Sequence, residues 1–120
     1  MTTETQSRAV QAADVLDTAA EHLLEVGHHK GYLYDEGQAE EGIALSRCRV
    51  DAVGAILAAA YGKPRYPSTA PAVNLTDVAL AALTEKVGAP PVAWNDAAER
   101  TLDEVFDALA GAAARLRESA

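Results

Sequence analysis

The chain has one cysteine, one methionine, one tryptophan and one phenylalanine in 120 residues. A lone Cys48 excludes an intramolecular disulfide. With aromatics at 5% of residues, a core built on stacked rings is excluded too. No apolar run approaches the roughly eighteen residues that a membrane span needs. The opening Met-Thr-Thr-Glu-Thr-Gln-Ser has neither a basic stretch nor an apolar one, so no secretion signal is expected. Positive charge is also scarce: 10 Lys and Arg stand against 18 Asp and Glu, a net charge of −8. Such a chain gains no counterion release on a phosphate backbone and is repelled by anionic lipid. Direct nucleic-acid binding and membrane binding are not expected, and a soluble cytoplasmic protein is. No phosphate loop, Gly-x-Gly-x-x-Gly, Gly-x-Ser-x-Gly or CxxC occurs, which removes the common motif-bearing enzymes.

What is abundant is alanine, within a hydrophobic fraction of 49%. Alanine favours helix but buries little area, so closely spaced helices with a thin core are expected. Four segments carry helical periodicity. The first covers about 7–26, with Ala9, Ala13, Leu16, Ala20, Leu23 and Leu24 on one face and Gly27 as a left-handed stop. The second covers about 45–61, with Val50, Val53, Ile56 and Leu57 in its stripe; Gly54 and Ala58, four apart, would permit close helix approach. The third covers about 75–87, with Asn74 as the candidate cap. The fourth starts at Thr101, whose Thr101-x-x-Glu104 pattern is a capping box, and runs to about 116. Pro64, Pro67 and Pro71 make 62–72 a loop. Tyr32-Leu33-Tyr34 followed by Asp-Glu-Gly is a weak hairpin or turn signal. The expected fold is therefore mainly α, a bundle of four main helices in one domain over 1–120. A small two-stranded β-ribbon near residues 31–38 is an optional addition, and fraying is expected at 1–6 and 117–120.

Few residues suggest chemistry. His22, His28, His29 and Glu25 cluster near the end of the first helix, but Gly27 breaks the register that a metal site would use, so helix-end or solvated histidines are favoured. Cys48 lies between Arg47 and Arg49, neighbours that activate a thiol; with no histidine near in sequence, a small, partly buried thiol is favoured. Asp51 is expected on the solvated side of the second helix, with Arg47 as its donor if it faces inward. Trp94, Asn95 and Asp96 are read as a turn that docks the fourth helix. No catalytic, cofactor-binding or metal-binding residue is assigned, and no cofactor is expected. The residues kept as candidates for a pocket or an interaction surface are Trp94, Asn95, Asp96, His28, His29, Tyr34, Asp51 and Gly54.

Two stretches carry a family resemblance. Val50-Asp51-Ala52-Val53-Gly54-Ala55-Ile56, and Trp94-Asn95-Asp96 followed by Thr101, Glu104 and Val105, resemble segments of DUF6197, a family of small uncharacterised proteins of actinobacteria and their phages. The resemblance spans roughly residues 10–110. It implies a helical fold and an actinobacterial or phage setting, and it implies no activity. Family members usually have cysteine where this chain has Asp51, while Cys48 lies three residues earlier; that departure weakens the case for thiol chemistry. The chain is thus expected to be a non-enzymatic accessory or interaction protein. Its partner would be an unknown protein or a second copy, held on the Gly54/Ala58 face or the tyrosine-rich 28–42 loop. The alternative is a small-molecule-binding protein or enzyme with a pocket near Trp94.

Overall fold

The computed structural model describes residues 2–119, with side chains over residues 8–119. It contains α1 (Thr2–Val26), α2 (Glu36–Glu40), a 3-10 turn (Leu45–Arg47), α3 (Ala52–Tyr61), α4 (Ala70–Val87), α5 (Pro91–Asp96) and α6 (Leu102–Ser119). The four long helices α1, α3, α4 and α6 form the expected bundle. Fraying was expected at 1–6 and 117–120; α1 begins at Thr2 and α6 ends at Ser119, with positions 1 and 120 outside the described residues.

The stripes read from the sequence supply most of the core, except that Leu24, expected on the apolar face of the first helix, is 54% exposed on the outer face of α1. Ala13, Leu16, Ala20 and Leu23 of α1 are buried with Ile56 of α3, Leu83 of α4 and Val105 and Leu109 of α6. Six of the core positions on α1 and α6 are alanines, Ala13, Ala19, Ala20, Ala108, Ala112 and Ala113. Small side chains at that seam let the two helices approach closely, which recovers packing that alanine cannot supply by area. Arg117 closes the far end of the same seam with bonds of 2.7 Å to Asp14 and 2.6 Å to Asp17.

Three boundaries differ from the sequence expectation. The second helix is not continuous over 45–61. It breaks after the 3-10 turn, runs extended through Val50 and restarts at Ala52. Asp51 is the N-cap of α3, its carboxylate accepting from Gly54 N–H at 2.6 Å. It is only 1% exposed, so it is not on a solvated face, and Gly54 rather than Arg47 is its donor. The third helix begins at Ala70, not near Leu75, because Pro71 sits in its first turn, where proline costs no hydrogen bond. Trp94-Asn95-Asp96 is the last half of the short helix α5, with Pro91 in its first turn, rather than a turn.

No strand forms among the described residues, so the ribbon near 31–38 is absent. Instead Val50 makes single bridges to His28 and to Tyr34. The extended residues 48–51 are flanked by both arms of the 27–35 segment. His29 N–H donates to Val50 O at 2.8 Å, Val50 N–H to Gly27 O at 3.1 Å and Asp35 N–H to Arg49 O at 2.8 Å. Residues 31–33 form bends, in keeping with the turn reading of Tyr32-Leu33-Tyr34, and the one bridge partner of Tyr34 is Val50, in the break before α3. The capping box at α6 is as expected: Glu104 N–H donates to Thr101 Oγ1 at 3.2 Å and Thr101 N–H to Glu104 Oε1 at 2.9 Å.

Candidate functional site

Asn95 is fully buried at the end of α5. Its amide nitrogen donates to His29 O at 3.1 Å and to Asp96 Oδ1 at 2.9 Å. Both partners only accept, which fixes the orientation of the amide. Its oxygen then accepts from Ala52 N–H at 3.0 Å and from His28 Nε2 at 2.8 Å. His28 must therefore carry hydrogen on Nε2. One side chain thus satisfies the free N-terminal amide of α3 and two points on the segment after α1.

The latch continues outward. Asp96 Oδ1 accepts from Gly31 N–H at 3.0 Å, and Lys30 Nζ donates to Ala97 O at 2.7 Å and Ala98 O at 3.0 Å. Leu33 O accepts from Asp51 N–H at 3.2 Å. A Cβ on Gly54 would lie 1.9 Å from that same Leu33 oxygen, so glycine is what lets the loop settle onto α3. The close approach expected at Gly54 is real, but the approaching group is a backbone carbonyl and not another helix. The far end of the segment is held by Arg49, bonded to Asp35 at 2.5 Å; that bond holds the Asp35 carboxyl below its ordinary range.

Of the eight candidate residues, His28, His29, Asn95, Asp96, Asp51 and Gly54 meet in this latch. Trp94 and Tyr34 do not join them at one cavity. Trp94 lines an open groove with Lys86, Glu104 and Asp107. Its ring is covered by the Arg100 guanidinium at 4.1 Å, and Arg100 Nε donates to Trp94 O at 2.9 Å. Tyr34 lines a separate groove of about 350 Å³ with Tyr32, Leu33, Pro64, Arg65 and Tyr66. Three of the four tyrosines meet there. Tyr32 and Tyr34 cross edge to face with centroids 5.2 Å apart, and Tyr32 and Tyr66 are 44% and 63% exposed. The sequence marked Tyr34 but not Tyr66 or Arg65; the signal for those two was an aromatic and a cation inside a proline-rich loop.

The remaining candidates behave as buried groups. Cys48 is fully buried, its thiol facing the Ile43 and Ala44 carbonyls. Burial pushes its pKa up, against the activation its arginine neighbours suggested. Burial likewise lowers the pKa of His22, whose Nε2 has no hydrogen-bond partner. Among the described residues, no three His, Cys, Asp or Glu side chains are grouped to hold a metal ion. Among the described residues no helix is long and apolar enough to cross a membrane.

Burial, with Asp96 nearby as a lesser cause, pushes the Asp51 carboxyl from 3.8 up to about 6. An acid held above its ordinary value binds its proton more tightly in the folded chain. Its contribution to stability is therefore fully present below about pH 4 and lost as pH rises to about 6, a change of roughly 3 kcal/mol. Asp51→Asn keeps an oxygen for Gly54 N–H and removes the charge. Chemical denaturation should find the variant more stable than wild type by about 2 kcal/mol at pH 7.5 and no more stable at pH 4.

The model of a family of unknown function, DUF6197, matches residues 7–115 of the chain. No curated protein and no solved structure matches it.

Proposed function

We propose, on the premise that the chain belongs to the family of unknown function DUF6197, that it is a non-enzymatic accessory protein acting by contact with another protein in the cytoplasm. The contact surface is the tyrosine groove between residues 32–34 and 64–66. One observation carries this. The groove exposes Tyr32, on a segment anchored to α3 and α5 by the Asn95 latch, together with Tyr66 from the loop after α3. Exposed aromatic residues on a rigid support are the usual anchors of protein interfaces, because they bury much area at little entropic cost. The latch supports the same reading from the other side. Asn95 spends its amide on His28, Asp96 and two backbone groups, and His28 spends Nε2 on Asn95, which leaves these groups occupied in structure rather than offered to a substrate. Gly54, under the Leu33 carbonyl, is not a free face.

The test is differential capture from an actinobacterial lysate, the setting the resemblance implies. Wild type should retain a partner that Tyr32→Ala/Tyr66→Ala loses, while Leu24→Ala, on the outer face of α1, retains it. Equal capture by all three proteins would overturn the assignment. Capture of the chain by itself alone would replace it with a homo-oligomer.

A further inference from the structure

We infer that the tyrosine groove takes an extended peptide segment in which proline is flanked by acidic residues. This rests on the interaction reading above and adds the chemistry of the partner. Two features of the groove set that chemistry. The first is shape. The Tyr32 and Tyr34 planes meet at 66°, the fully buried Pro64 forms part of the floor, and Tyr66 stands opposite. A notch between crossed aromatic rings suits a pyrrolidine ring, and a proline-rich segment already has the extended conformation, so little ordering entropy is lost on docking.

The second feature is charge. The loop after α3 brings Arg65 into the lining of the groove, two residues after Lys63. Among the described residues neither forms an ion pair; Lys63 stands over the Tyr61 ring at 5.5 Å. Elsewhere among the described residues Arg49, Arg100, Arg115 and Arg117 are paired with carboxylates, while Arg8, Lys30, Arg47 and Lys86 are not. What sets Arg65 apart is its place, in the lining of a groove with three tyrosines on a chain with eight surplus negative charges. The net charge would repel an acidic segment at long range, but charges farther than about 8 Å are largely screened at physiological salt. At contact the cation in the lining, Arg65, decides the sign.

Labelled peptides containing Glu-Pro-Pro-Glu, Lys-Pro-Pro-Lys and Glu-Ala-Ala-Glu test this by fluorescence anisotropy, with tyrosine ring signals followed by NMR. The acidic proline peptide should bind tightest and shift the Tyr32, Tyr34 and Tyr66 rings. Wild type should hold the lysine and alanine peptides about tenfold more weakly, and Arg65→Glu should weaken the acidic peptide about tenfold and reverse the charge preference. Arg65 and Tyr66 are exposed, so Arg65→Glu and Tyr66→Ala should keep the wild-type melting temperature. Equal binding of the acidic and lysine peptides overturns the charge assignment, and equal binding of the alanine peptide overturns the proline assignment. If no peptide moves the ring signals while Tyr32→Ala/Tyr66→Ala still loses its captured partner, the peptide chemistry is wrong and the groove stands. If that differential capture also fails, both are wrong.

Discussion

Replacing Gly54 with alanine is expected to destabilise the protein by about 3–5 kcal/mol, a large part of the roughly 5–15 kcal/mol that holds a domain together. On an exposed helix the same change would stabilise by about 1 kcal/mol through helix propensity. Here the new methyl would lie 1.9 Å from Leu33 O and 2.9 Å from Leu33 C. Both are backbone atoms, so no rotamer relieves the clash and the loop must lift. Lifting it breaks the Asp51 N–H bond to Leu33 O and strains the neighbouring bond from Gly31 N–H to Asp96. Gly111 provides the control. A methyl there meets the Lys86 side chain, 2.7 Å from Cε and 3.2 Å from Nζ. A lysine end can swing away, so Gly111→Ala should gain about 0.5–1 kcal/mol from helix propensity. Urea denaturation of the two variants should give opposite signs. Gly54→Ala should also broaden the Tyr32 and Tyr34 ring signals, because the floor of the groove rests on Leu33. A Gly54→Ala protein as stable as wild type would mean that the loop does not sit on α3 as described.

The helices were legible because each is written in local periodicity and local caps. The stripes of α1 and α6, Leu24 apart, are the buried faces, and Thr101 with Glu104 makes the predicted capping box. What was not legible is what depends on partners far along the chain. Val50 fits a helical stripe as well as it fits an extended residue. It becomes extended because Gly27, His29 and Tyr34, some twenty residues away, supply its partners. Asp51 has the spacing of a cap, three residues before Gly54, but a cap inside an apolar run reads as an interior helix position. Tyr66 and Arg65 meet Tyr32 and Tyr34 only because the loop after α3 folds back beside the segment before α2. Nothing in either stretch alone signals that meeting. The six residues of the latch were singled out for four separate reasons, and only the fold shows that they form one unit.

Asn95 is the position at which that unit is most exposed to a single change. Asn95→Leu is the informative variant, because leucine replaces the volume and none of the hydrogen bonds. If the side chain merely filled space, the substitution would be close to neutral or stabilising, as when an apolar group replaces a polar one whose partners leave with it. Here the partners stay. The Ala52 N–H at the start of α3 and the His29 carbonyl lose their bonds, as do His28 Nε2 and Asp96 Oδ1. Each polar group left buried without a partner costs about 1–3 kcal/mol. Asp96 still has Gly31 N–H, and His28 and His29 are only partly buried, so water recovers some of the loss. The expected cost is about 3–4 kcal/mol for Asn95→Leu, and no less for Asn95→Ala, which adds a cavity. Hydrogen exchange separates this from a general loss of stability. Protection should fall most at Ala52 and Gly31, whose amides are tied directly or through Asp96 to Asn95, and least at Leu109 in the α6 core. The Tyr32 and Tyr66 groove should lose affinity for its peptide in proportion, because the segment that presents Tyr32 is no longer latched. An Asn95→Leu protein with wild-type stability, unchanged exchange at Ala52 and intact peptide binding would reduce the latch to incidental packing and leave the groove to be held by Gly54 and Arg49 alone.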